Sequence, residues 1–153
     1  MEQLLFQYSR RNVRSFGGTD VRIFDRPADN VICCQNQDYR KPEEENRYTL
    51  DWVVLARLRE ILQNHGEMFR MISVESPLVM DGVVNEFYFA LEGMENSVTA
   101  YNLWAFRSET DNDNVPHENA DVLLSVYDEI FSLLTSHGID GKYLSLKEGG
   151  MQS

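Results

Sequence analysis

The chain has 153 residues, 42% of them hydrophobic and 25% charged, and a formal net charge of -11. That length and balance fit one ordinary globular domain, residues 1–153, with core enough to fold without disulfides or a structural metal. They exclude a disordered or fibrous chain, and no run of 18 apolar residues offers a membrane-spanning helix.

The charge is unevenly placed. Residues 1–75 carry 11 Lys+Arg against 12 Asp+Glu, and residues 76–153 carry 3 against 13. The second half should repel nucleic acid and anionic membrane, and attract basic surfaces. The N-terminus, MEQLLFQYSRRNVRSF, puts its apolar residues before its arginines, the reverse of a secretory signal. A cytoplasmic protein is expected.

In chain order, residues 1–19 form an arm of undecided structure: QLLFQYS suits a helix or a strand, and RRNVRSFGG ends in a turn signal. Val21–Asp25 and the segment NVICCQ read as short strands. Cys33 and Cys34, adjacent in the second, read as reduced thiols on opposite sides of the strand, because a bridge between neighbours would be strained. NQDYRKPEEEN reads as a loop. A helical pattern follows, with Thr49 as N-cap, Gly66 past its end, and a stripe of Leu50, Val54, Leu58, Ile61 and Leu62, widened by Leu55. Trp52 lies off the centre of that stripe.

EMFRMISVE reads as a strand. The stretch Glu86–Arg107 then holds six of the chain's 17 aromatics and alternates with a period of two, as a hairpin does. A turn at residues 93–96 would pair Phe87 with Asn102. It puts Phe87, Phe89, Leu91, Val98, Ala100, Asn102, Trp104 and Phe106 on a core face. Tyr88, Tyr101 and Leu103 fall on the other. SETDNDNVPHEN is an acidic loop. A second helix over ADVLLSVYDEIFSLLTSHGID buries Leu123, Val126, Tyr127, Ile130, Leu133 and Leu134 and ends at Gly138. GKYLSL reads as a last strand, and residues 147–153 as a flexible tail. The expected fold is α+β: a two-layer sandwich whose mostly antiparallel sheet carries both amphipathic helices on one face.

No motif names a reaction. HExxH, CxxC, GxSxG, GxGxxG and the P-loop are all absent. A calcium loop starting at Asp111 would need glycine where Pro116 stands and an acid where Val122 stands. No metal site, cofactor or catalytic residue is therefore assigned. His65 and His137 each end a helix, where a cation relieves the dipole.

The candidate binding residues are of two kinds. Glu109, Asp111, Asp113, Glu118, Asp121 and Asp128 gather on one loop and one helix. If contiguous, they make a negative patch suited to a basic protein partner, as in inhibitors and immunity-type proteins that present carboxylates in place of phosphates. The plainer explanation is a solvated face that aids solubility. Tyr88 and Tyr101 lie on an open sheet face, where tyrosine favours interfaces. Direct nucleic-acid binding there is not expected, since the surrounding cations are missing. Arg10, Arg11 and Arg14 form a small basic cluster that could touch nucleic acid or, more simply, pair with acids within the chain or across a homodimer. Two alternatives stand beside the interaction reading. One is a ligand-binding or enzymatic domain with a pocket near Asn102, Trp104 and Tyr127. The other is a structural subunit that oligomerises through the Tyr88 face.

Overall fold

The computed structural model describes residues 3–12, 17–36, 44–75, 82–107 and 118–147. They form a mixed α/β fold with one mostly antiparallel seven-stranded sheet and two helices. The strands are β1 Gln3–Asn12, β2 Gly18–Asp25, β3 Val31–Asn36, β4 Glu44–Tyr48, β5 Ser73–Glu75, β6 Val83–Leu91 and β7 Met94–Tyr101. The helices are α1 Trp52–Asn64 and α2 Glu118–Ser136. The strand order is β4-β3-β2-β1-β6-β7-β5, and only the β5–β7 pair is parallel.

The N-terminal segment is a strand at the centre of the sheet. β1 pairs with β2 on one side and β6 on the other. Its alternation decides this: Phe6, Tyr8, Arg10 and Asn12 point inward, and Gln7, Ser9 and Arg11 outward. A bulge between Leu4 and Phe6 lets Leu5 bury as well. β2 adds Thr19, Val21 and Ile23 to the inward set, β3 adds Val31 and Cys33, and β6 adds Asn85, Phe87 and Phe89. Part of the expected loop is β4, an edge strand of charged and polar residues pairing β3; such composition discourages further pairing at the edge.

The helical stripes fall as the periodicity predicts. Val54, Leu55, Leu58, Ile61 and Leu62 of α1 and Leu123, Val126, Tyr127, Ile130 and Leu134 of α2 join the inward strand residues in one core. Leu133 and Phe131 are partly buried against it. The helices run antiparallel: His65, at the end of α1, meets Glu129 of α2, and His137, just past α2, lies by the start of α1. The N-cap is Asp51, not Thr49: its Oδ1 accepts from the Val54 amide at 3.1 Å, while Thr49 Oγ1 accepts from the Asp29 amide.

The hairpin keeps its predicted faces and changes its register. Its turn is Glu92–Gly93, with Gly93 at φ 73°, so Phe87 pairs Val98 rather than Asn102. A shift of four residues preserves the parity of the strands, hence Phe87, Phe89, Leu91, Val98 and Ala100 are all buried. Beyond Tyr101 the strand pattern fails. Asn102 turns left-handed at φ 54°, and Leu103–Arg107 form a 3-10 helix that buries Leu103 and leaves Trp104 and Phe106 half-buried. EMFRMISVE is likewise a 3-10 helix, Gly66–Arg70, before the short β5, and GKYLSL contains the 3-10 helix Gly141–Leu144.

A polar row crosses the inner face at one end of the sheet. Arg10 stands opposite Thr19 on β2 and Asn85 on β6. The row receives the segment 144–147 through its carbonyls. Tyr127 donates to Leu144 O at 2.6 Å, Tyr8 to Ser145 O at 2.8 Å, Asn85 to Leu146 O at 3.0 Å and Arg10 to Lys147 O at 2.8 Å. Four consecutive carbonyls are thus satisfied by buried side chains.

Candidate interaction surfaces

α2 carries Glu118, Asp121, Asp128 and Glu129 and no Lys or Arg over its 19 residues. Asp121 and Asp128 are exposed and seven residues apart, close to two helical turns, so they share one face. Glu129 is used within the fold: it binds His65 and lies 3.9 Å from Arg57, which also pairs Glu60. Glu118 opens the helix. Glu109, Asp111 and Asp113 lie outside the described residues.

The outward sheet face holds the predicted tyrosines. Tyr88 is half-buried and donates to Glu95 at 2.8 Å; its burial and that carboxylate hold the phenol above its ordinary value. Tyr101 is exposed. Tyr101 pairs with Val84, four residues from Tyr88 on β6, so the two rings stand about 13 Å apart along the strand. Leu103, expected beside them, is in the core. Cations on this face sit beside acids: Arg22 beside Asp20 at 2.8 Å, Arg47 beside Glu45 at 2.9 Å and Arg11 beside Glu86 at 3.6 Å. Asp20 also accepts from Gln7 and Ser9. The tyrosines face away from the core that α2 enters, so tyrosines and α2 acids occupy different surfaces.

The basic cluster divides. Arg11 reaches Glu86, a pairing within the chain. Arg10 is buried in the polar row, donating to Asn12, Ser145 and Lys147. Arg14 lies outside the described residues. Of the residues expected to line a pocket, Asn102 Oδ1 accepts from the Val83 amide at 2.9 Å, Tyr127 donates to Leu144 O, and Lys147 lies over the Trp104 ring. Cys33 and Cys34 are both buried and not joined in a disulfide, and burial pushes the Cys33 thiol up to about 12. Among the described residues no three His, Cys, Asp or Glu side chains gather to hold a metal ion, and no helix is long and apolar enough to cross a membrane.

A feature missed in the sequence is a groove of about 650 Å³ between the 25–30 turn and the start of α1. Asp25, Arg26, Pro27, Asp51, Trp52 and His137 are in its lining. Its walls are fastened by Asn30, which is fully buried. The Asn30 amide donates to Leu50 O at 2.7 Å and Arg26 O at 3.0 Å, and Asn30 Oδ1 accepts from the Leu50 amide at 2.8 Å. Trp52 stands 77% exposed at its rim. The lining comes from three distant segments, so no local spacing could announce it; the one sequence signal was Trp52 standing off the α1 stripe. No protein-family model matches the chain, and no curated protein matches it either.

Proposed function

We propose that this is a non-enzymatic interaction protein, of inhibitor or immunity type, that docks on a basic surface of a protein partner. The observation that carries this reading is α2, whose 19 residues hold four carboxylates and no cation, with Asp121 and Asp128 on one exposed face. The sequence extends the same sign into the preceding loop through Glu109, Asp111 and Asp113. A dense negative surface raises the association rate and repels acidic competitors. The helices serve as one layer of a two-layer α+β sandwich, and α2 presents the acids from a rigid element.

The test is capture from nuclease-treated lysate of the native host at low and high salt. A basic protein held at low salt and weakened at high salt supports the reading. Retention of acidic proteins, or of nothing at either salt, overturns it.

A further inference from the structure

We propose that the groove at the start of α1 receives a cationic side chain, arginine or lysine, of the basic partner, seated against the Trp52 indole beside the carboxylates of Asp25 and Asp51. This rests on the reading of a basic protein partner and names the place where one of its side chains is held.

Trp52 is the first residue of α1 and contributes nothing to the buried stripe. Leaving most of an indole in water forgoes a large favourable burial, and Val53 beside it is also exposed. A tryptophan ring is the best aromatic partner for a cation, and more so where water is partly excluded. The groove is prebuilt, because Asn30 and the Asp29–Thr49 bond fix both walls, so binding need not order them.

The charges in the lining favour a cation over an anion. A helix start attracts anions, but here the Asp51 carboxylate already accepts from the Val54 amide and would repel a second negative group. Asp25 is exposed enough to meet a ligand while bridging Arg59 at 2.8 Å. Arg26 is turned aside: its guanidinium donates to Asp29 O and lies 4.7 Å from the Phe24 ring centre. His137, directly past the last residue of α2, is also in the lining.

The probe is an acetylated, amidated Gly-Arg-Arg-Gly peptide, with the norleucine peptide as control. Trp104→Phe leaves Trp52 as the chain's one tryptophan, so its emission reports the groove. The expected result is a saturable change with the arginine peptide and none with norleucine. Asp51→Asn keeps a capping side chain and removes the charge, and should weaken binding several-fold. Trp52→Ala, read by calorimetry, should cost about tenfold. An equal response to norleucine, or unchanged affinity in both variants, overturns the proposal. The two readings fail separately. Full-length partner binding that is lost on charge reversal of α2 but untouched by Trp52→Ala and Asp51→Asn leaves acidic docking standing and refutes the groove.

Discussion

At the scale of single residues, two buried side chains show what burial does to polar and ionisable groups. Asn30 makes three side-chain hydrogen bonds, two that tie the 25–30 turn to Leu50 and one to Arg26 O within the turn. Asn30→Ala strands a buried amide and two carbonyls, and should cost about 1–3 kcal/mol, read from chemical denaturation. Its groove-dependent properties should fall with it, whereas Trp52→Ala should leave stability nearly unchanged. Cys33 is the second case. Burial favours its neutral thiol, then the neighbouring Cys34, and lifts it from 9.0 to about 12. A group raised in this way contributes stability that is full below about pH 9 and is lost as pH rises toward 12. Tyr8 and Tyr143, also raised chiefly by burial, act in the same direction. Alkylation at pH 8 followed by peptide mass spectrometry should therefore find Cys33 unmodified in the native protein and modified after denaturation. Labelling of native Cys33 would contradict its placement.

At the scale of elements, legibility followed periodicity. α1 and α2 were readable because Leu50, Val54, Leu58, Ile61 and Leu62, or Leu123, Val126, Ile130 and Leu134, recur at helical spacing over about three turns. The hairpin's faces were readable for the same reason with a period of two, and its register was not, since a shift of four residues leaves every side chain on its face. The core stripe fails at Asn102 because a left-handed residue followed by a 3-10 helix obeys neither period. β1 was ambiguous because its buried Arg10 and Asn12 look like surface residues until segment 144–147 crosses them. That crossing makes a prediction of its own. Tyr127→Phe removes the hydroxyl that donates to Leu144 O while keeping the ring, and should lower stability by about 1 kcal/mol. Amide hydrogen exchange in residues 144–147 should quicken more than in α1. Uniform quickening across the chain would mean the segment opens only with global unfolding.

At the scale of the whole molecule, the charge asymmetry read from the sequence meets a fold that sorts it. The outward sheet face places Arg11, Arg22 and Arg47 beside acids, while α2 presents Asp121 and Asp128 with no cation on the same helix. Asp121 and Glu118 have a local reason for their position, since acids near a helix start complement its dipole. Asp128 lies mid-helix, away from that terminus. The groove was invisible at the sequence level because Asp25, Asp51 and His137 meet only through tertiary structure. The most direct measurement compares the unaltered protein with the Asp121→Lys, Asp128→Lys double variant for binding to the captured basic partner across a salt series. Both substitutions sit on an exposed helix face and favour helix, so circular dichroism should be unchanged. The account predicts that the double variant loses at least tenfold in affinity and shows a flatter dependence on salt. Equal affinity and an equal salt dependence would contradict it.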